Sequence, residues 1–213
     1  IKPAIDIIGV EPALYPSMTN ALMDESKPCA GSTLAEGIAV RDIGAKSVPI
    51  VRSLVRHVVT VSETSIERAL AMLATQAKTV AEGAGAAPLA ALLEHGALFA
   101  GRKVGLIVSG GNIDARMLSS VLMRDLVRGG QVLTLNIEMP DKPGQLHAVS
   151  GICAAEGANV LEVIHSRFAM DLSASSARLG ITIETRDQDH ADQVIDRIKK
   201  GGFNVTVRDP SAP

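Results

Sequence analysis

Lys103-Val104-Gly105-Leu106-Ile107-Val108-Ser109-Gly110-Gly111-Asn112-Ile113-Asp114 decides how the rest of this chain reads. A short apolar run, Val104 to Val108, ends in Ser-Gly-Gly-Asn, and a helix-compatible segment containing Arg116 and Met117 follows. Apolar runs of this length bounded by glycine read as fully buried parallel strands. In open α/β sheets, ligands gather where such strands end. Gly110 and Gly111 let the main chain come close to a flat or anionic group, and Ser109 places a hydroxyl at the strand tip. The local sequence leaves equal room for a strand-to-helix turn that needs glycine for its geometry alone.

Upstream of that stretch, strands and helices alternate. Ile5 to Val10 reads as a buried strand closed by Glu11-Pro12, and the polar, proline-rich segment from Ala13 to Gly31 as loops with a short helix. Thr33 to Val40 is a compact apolar segment whose internal Gly37 suggests a close backbone approach. A helix begins near Ser47-Val48-Pro49, with proline in its first turn, and His57 to Val61 is a second strand. Ser62 is placed as the N-cap of a helix that puts Ile66, Leu70 and Leu73 on one face. Ala81 to Ala87 interrupts the helical pattern, and Pro88 to His95 resumes it with small residues. A last helix, about Ala115 to Val127, runs into Gly129-Gly130, which reads as a linker.

Beyond the linker the rhythm changes. Val132 to Met139 alternates as a half-buried strand, Asp141-Lys142-Pro143-Gly144 is a turn, and Gln145 to Glu156 is a helix stopped by Gly157. Asn159 to Phe168 and Ala177 to Thr185 alternate again, Asp189 to Lys200 is amphipathic, and Phe203 to Val207 is a final strand. The order βαββαβ is the split-βαβ plan. The chain therefore divides into an α/β part with parallel strands, residues 1–128, and a small ferredoxin-like domain, residues 131–209.

Composition removes several function classes. Aromatic residues are 2% of the chain and Trp is absent, which argues against base-stacking platforms. A net charge of −2 without long basic runs removes the electrostatic case for nucleic acid. Cys29 and Cys153 lie far apart and outside metal spacing, which suits free thiols in a reducing compartment. No apolar stretch reaches membrane-spanning length, so no membrane partner is expected and the location reads as cytoplasmic. The sequence opens at Ile1 without an initiator Met, in what looks like the middle of an α/β unit, and reads as though an upstream segment lies outside it.

Several motifs then agree. Ser109-Gly110-Gly111-Asn112-Ile113-Asp114 resembles the cofactor-facing strand end of the fold-type II pyridoxal-phosphate enzymes. Glu82-Gly83-Ala84-Gly85-Ala86 and Thr33-Leu34-Ala35-Glu36-Gly37-Ile38-Ala39-Val40 resemble segments of the threonine and serine dehydratases within that family. Asp141-Lys142-Pro143-Gly144-Gln145-Leu146 and Asn159-Val160-Leu161-Glu162-Val163 look like the first turn and second strand of an ACT regulatory domain. On these residues the chain resembles the C-terminal part of a threonine dehydratase (threonine ammonia-lyase) of the shorter type, with a single ACT domain.

The resemblance implies pyridoxal 5'-phosphate as cofactor and β-elimination of L-threonine to 2-oxobutanoate and ammonia. L-Serine is the runner-up substrate, since one methyl in a pocket is worth only about 1–3 kcal/mol. Ser109 and Gly110, Glu82 and Gly37 are the expected cofactor-binding residues, Ser109 facing the pyridine nitrogen as a neutral partner. On local sequence alone, Glu82 reads equally as a helix-surface carboxylate and Gly37 as a packing glycine. Asn112 is expected to cap the following helix. The family's Schiff-base lysine context, S-F-K-x-R-G, and its glycine-rich phosphate loop do not occur here. Lys103 lies about 20 Å from the strand tip at strand rise and cannot substitute. The chain alone is therefore expected to be inactive.

Glu11 occupies the position of a divalent-cation ligand in related enzymes, with a thinned ligand set around Tyr15 and Ser17. His57, His95, His147 and His190 read as surface or helix-end residues, and His165 as part of a strand face. By the resemblance, Asp141, Gly144, Gln145, Leu146 and Asn159 form an effector site for isoleucine or valine between ACT domains of a homodimer or homotetramer. The competing reading is a non-catalytic amino-acid-binding regulatory module on the same scaffold.

Overall fold

The computed structural model describes residues 5–167, 172–173 and 175–208. The chain splits into two compact units, Ile1–Leu122 and Met123–Pro213.

In the N-terminal unit, β1 (Ile8–Pro12) pairs in parallel with β2 (His57–Val61), in a register running from Ile8↔His57 to Pro12↔Val61. Between them lie α1 (Ser17–Met23), a 3-10 turn at Glu36–Ile38 and α2 (Ser47–Leu54). Glu11 and Pro12 belong to β1 rather than closing it, so the strand sits later than the sequence suggests. The Glu11 carboxylate accepts from the amides of Met18 (2.9 Å) and Thr19 (2.8 Å), satisfying two otherwise orphaned donors at the start of α1.

Next come α3 (Glu63–Thr75), α4 (Gly83–Glu94), a short α5 (Gly96–Phe99) and α6 (Ala115–Arg128), within which the boundary between the units falls. Ser62 caps α3 as expected, its hydroxyl accepting from the Ser65 amide at 3.3 Å. Ile66, Leu70 and Leu73 are buried against the alanine-rich face of α4, with Val61 and Val121 in the same cluster. Alanines 86, 87, 90 and 91 let the helices approach closely, and burying a side chain such as Ile66 or Leu70 contributes about 1.5–3 kcal/mol.

Two expectations fail here. Helix α4 starts at Gly83, not Pro88, and carries Pro88 inside it. Proline at its sixth position lies just past the unpaired amides of the helix start and removes one amide donor from the ladder, and the buried packing of α4 keeps the helix. Val104 to Val108 is not a strand: the run has no ladder partner among the described residues, and Ile107 is 80% exposed. A buried parallel strand needs neighbours on its edges, and among the described residues the only sheet of this unit is β1–β2.

The C-terminal unit follows its expected plan closely. β3 (Val132–Pro140), α7 (Gln145–Glu156), β4 (Asn159–Ser166), β5 (Ser176–Glu184), α8 (Gln188–Lys200) and β6 (Asn204–Val207) form an antiparallel sheet in the order β4-β5-β3-β6 with both helices packed on one face. The expected end of β4 at Phe168 lies outside the described residues. Leu135, Ile137, Leu179, Ile181, Ile183 and Ile198 are fully buried between sheet and helices. Alternate residues such as Thr134 and Thr182 face away and hydrogen-bond each other at 2.9 Å. A bulge between Val160 and Glu162 leaves Leu161 exposed on the edge strand β4.

His190 is a helix-end residue as expected, in the first turn of α8, but not a surface one. It is buried, its Nδ1 accepting from the Arg186 amide (3.1 Å) and its Nε2 donating to the Glu156 carbonyl (2.8 Å). The Asp187 side chain accepts from the His190 amide at 2.8 Å, so Asp187 and His190 cap α8 from both directions. Burial raises the pKa of Cys153, which packs in this core as a small apolar group.

Candidate active site

Four segments of the N-terminal unit converge on the start of α4. The Glu82 amide donates to the Gly110 carbonyl at 2.9 Å, which ties the Ser109-Gly110-Gly111 turn to the helix start. The two glycines of that turn are needed for close approach: a Cβ on Gly110 would lie 2.4 Å from Glu82 Oε1, and one on Gly111 3.0 Å from the Val80 carbonyl oxygen. On the other side, a Cβ on Gly37 would lie 3.2 Å from the Ala84 Cβ and 3.6 Å from Glu82 Oε1. The half-buried Glu82 carboxylate thus stands between Gly37 and Gly110, and Ser109 is exposed beside them. All four residues expected to bind cofactor are brought together.

Gly83 explains how the pieces can be this close. A Cβ there would lie 2.0 Å from the Leu34 carbonyl oxygen, so the peptide of Leu34 rests directly on the first turn of α4. Thr33 and Ala35, on either side of Leu34, are both buried. Beside this junction opens a cleft of about 640 Å³, bordered by Gly37, Glu82, Glu36, Glu63, Asn112 and Asp114. Its wall is rich in carboxylates and, among the described residues, includes no lysine. Such a lining suits the ring and amino end of a ligand and opposes a phosphate. A carboxylate held between two glycine turns at the edge of this cleft, with the exposed Ser109 hydroxyl nearby, fits one side of the planar ring of pyridoxal phosphate, and the cleft's charge requires the phosphate to be held by other groups.

Other expected residues are placed differently. Asp114, not Asn112, caps α6, accepting from the Met117 amide at 2.8 Å, while Asn112 lines the cleft. Glu11 spends both carboxylate oxygens on the α1 amides, and among the described residues no group of three or more His, Cys, Asp or Glu could hold a metal ion. His57, His147 and His165 are exposed, and His95 meets the Thr60 carbonyl at 2.8 Å.

In the C-terminal unit, Gly144 adopts φ +90° as the N-cap of α7, a conformation that favours glycine, and the turn Asp141 to Gly144 is exposed. Asp141 lies 3.4 Å from Arg167, Gln145 is half-buried, and Leu146 is exposed. Asn159 does not reach this turn within one chain. It pairs with Glu184 at the end of the sheet where β3 begins, and its side-chain amide donates to the Glu184 carboxylate at 3.2 Å.

Sequence reasoning missed two groups. Glu63 clasps Thr33 and Leu34 across some thirty residues and has no local signature. The buried pairing of His190 had one: Asp187-x-x-His190 has the spacing of a capping box.

No helix among the described residues is long and apolar enough to cross a membrane. Residues 1–110 match the family model described as "Pyridoxal-phosphate dependent enzyme", and residues 133–200 match the ACT domain. An L-threonine ammonia-lyase of Thermotoga maritima is 36% identical over 213 residues, covering 97% of this chain and 52% of that protein. One from Geobacter sulfurreducens is 38% identical over 207 residues, covering 96% and 52% respectively. The processed form of threonine deaminase isoform 2 from Solanum lycopersicum superposes with a TM-score of 0.52 at 28% identity, over 58% of this chain and 35% of that one. The chain thus spans about half the length of the curated relatives it matches. With the glycine-flanked Glu82 inside the matched region and a βαββαβ unit after it, the chain belongs to the pyridoxal-phosphate dependent enzymes and carries an ACT domain.

Proposed function

We propose that this chain supplies the ring-side wall of the active site and the regulatory domain of a threonine dehydratase (threonine ammonia-lyase), which converts L-threonine to 2-oxobutanoate and ammonia. Residues 1–128 would serve the first role and 131–209 the second. The observation that carries the reading is the convergence of Ser109, Gly110, Gly37 and Glu82 on the start of α4. The names of the two relatives support the substrate.

Bound pyridoxal phosphate would supply the electron sink for loss of the α-proton and the β-hydroxyl. Gly37 and Gly110, having no side chains, let the Glu82 carboxylate stand between their turns at the edge of the cleft, where it would face the ring. Ser109 offers a neutral hydroxyl, which holds a pyridine nitrogen without protonating it. That keeps the sink weak and favours departure of the hydroxyl over transamination. No lysine borders the cleft among the described residues, so in this reading the anchoring lysine would come from another segment and the chain alone would be inactive.

In the C-terminal unit, β4 is an edge strand with Leu161, Val163 and Ile164 exposed, and such edges are usually paired or covered. Antiparallel pairing of β4 with its copy would bring Asn159 of one chain to the Ser166 end of the other, beside the Asp141–Gly144 turn. The amides at the start of α7 suit a carboxylate and Leu146 an apolar side chain. A branched-chain amino acid, isoleucine or valine, fits that site in a dimer or tetramer.

The test is made in the polypeptide extended by the lysine-bearing segment of its relatives. Formation of 2-oxobutanoate from threonine, with serine as comparison, is measured for the parent, Ser109→Ala and Ser109→Asp. Ser109→Ala should lose on the order of 1–3 kcal/mol of transition-state stabilisation, and Ser109→Asp should raise transamination. Wild-type rates in both would remove Ser109 from the ring. Calorimetry of the 213-residue chain with isoleucine and valine reads the regulatory part, and no heat with either removes the effector.

A further inference from the structure

The Glu63 side chain bridges two segments that the reaction scheme does not explain. Glu63 is the first residue of α3, where the helix's positive end favours a carboxylate. Its Oε1 accepts the Thr33 hydroxyl at 2.6 Å and its Oε2 accepts the Leu34 amide at 2.8 Å. Thr33 Oγ1 in turn accepts from the Ala35 amide at 3.1 Å, so the three residues are locked by one carboxylate. Thr33 and Ala35 are buried, and Leu34 is the residue whose carbonyl lies where a Cβ on Gly83 would be, at 2.0 Å. Two residues further on, Glu36 to Ile38 form the 3-10 turn that puts Gly37 against Ala84 and Glu82.

The clasp therefore fixes the height of the Gly37 turn over α4. The distances leave little slack: a Cβ position 3.2 Å from Ala84 is tighter than ordinary contact. If the Leu34 peptide lifted off α4, Gly37 would leave Glu82 and the carboxylate would lose one of the two turns that hold it. A charge-assisted pair of bonds is the stronger kind and holds one geometry.

We propose that Glu63 is a positioning residue for the pyridoxal-phosphate ring, acting through Thr33 and Leu34 to set the Gly37 wall of the cofactor seat. The inference rests on the cofactor seat proposed above. Glu63 borders the cleft, but both its carboxylate oxygens are engaged by Thr33 and Leu34, so the role assigned to it acts through them. Its effect is on the spacing between Gly37 and Glu82.

The test uses the enzyme that contains this chain, reconstituted with pyridoxal phosphate. Cofactor dissociation is followed by its visible absorbance, kcat and KM are measured for threonine, and exchange of the Leu34 and Ala35 amides is followed alongside the melting temperature. Glu63→Ala should weaken cofactor binding on the order of tenfold, speed exchange at those two amides and lower kcat more than it raises KM. Thr33→Val should reproduce the cofactor loss in part, and Thr33→Ser, which keeps the hydroxyl, should restore it. This pair decides the matter even where Glu63→Ala folds poorly. Wild-type cofactor affinity in Glu63→Ala and Thr33→Val, beside weakened binding in Ser109→Ala and Glu82→Ala, overturns the positioning role and leaves the seat standing. A loss shared by Thr33→Ser also overturns it. Normal cofactor binding in Ser109→Ala and Glu82→Ala overturns the seat, and this inference with it.

Discussion

The two units treat the same kind of sequence in opposite ways. In the C-terminal unit, Ile181 and Ile183 alternate along β5, pair with strands on both edges and are fully buried under two helices. In the N-terminal unit, Val104 to Val108 is at least as apolar, yet it pairs with nothing described and leaves Ile107 80% exposed. Apolarity brings a segment out of water only where the topology offers a ladder and a covering layer. The βαββαβ unit provides both within about eighty residues, whereas the two strands of β1–β2 provide one pairing. Around α3 and α4, however, the N-terminal unit is as tightly packed as its neighbour, and that is where the candidate site lies.

The largest expected effect tests this contrast directly. Ile181→Ala should cost about 2–5 kcal/mol by emptying a filled core, whereas Ile107→Ala should stay within about 0.5 kcal/mol. Both are read by urea denaturation of the whole chain, following a probe in each unit. A cost above 1.5 kcal/mol for Ile107→Ala would mean that the run is covered in solution and that the contrast is false.

A second substitution asks whether the site region is as rigid as the C-terminal core. Gly83→Ala places a methyl 2.0 Å from the Leu34 carbonyl, against main chain that cannot rotate away. Overpacking of this kind costs about 1–3 kcal/mol, and the Leu34 and Ala35 amides should exchange faster. If instead Gly83→Ala is as stable as the parent, the gain in helix propensity has outweighed the clash and the junction is soft.

How far the sequence spoke for itself follows the same division. Most boundaries of the C-terminal unit were legible because each break carries its own chemistry: Gly144 and Gly157 both take positive φ at the ends of α7. The site residues Ser109, Gly110, Glu82 and Gly37 were legible through motifs, and the structure gathers them. The start of α4 was not, because Pro88 read as a helix start and Glu82-Gly83 as a break; only the contact with Leu34 makes a glycine-rich first turn favourable. The clasp of Glu63 was not legible, since its partners lie some thirty residues away. Asn112 was expected to cap α6, and the turn geometry gives that cap to Asp114 instead.

Helix caps give a smaller comparison between the units. Ser62 reaches the Ser65 amide at 3.3 Å, and Asp187 reaches the His190 amide at 2.8 Å with a charged oxygen. Ser62→Ala should cost about 1 kcal/mol. Asp187→Ala should cost more, towards about 2 kcal/mol, because the shorter bond is charge-assisted and His190 depends on it. The two values come from thermal melts of the single variants. Equal costs would show that bond length in these caps does not rank them.

The smallest effect lies on the acid side of the stability curve. Burial raises the Glu94 pKa, but the Ser62 amide and the Ser65 and Ser62 hydroxyls donate to the carboxylate, and His95 adds to them, so the net value lies below the ordinary glutamate range. Hydrogen bonds from Arg102 and then Arg56 hold Asp6 below its ordinary range as well. A group whose pKa is lower in the folded chain stabilises the fold at pH above its unfolded value, about 3.9 for aspartate and 4.3 for glutamate. That contribution disappears as pH falls through the folded value. Both carboxyls lie in the N-terminal unit and both are well exposed, so solvent screening keeps each effect small. Lowering the pH from about 5 to 3 should therefore loosen amides at the start of α3 before those of β5, as read by hydrogen exchange. Glu94→Gln should remove part of that acid sensitivity, with the Asp6 share remaining. If β5 loosens first, or if Glu94→Gln leaves the acid limb as steep as in the parent, the acid response belongs to carboxyls other than these two.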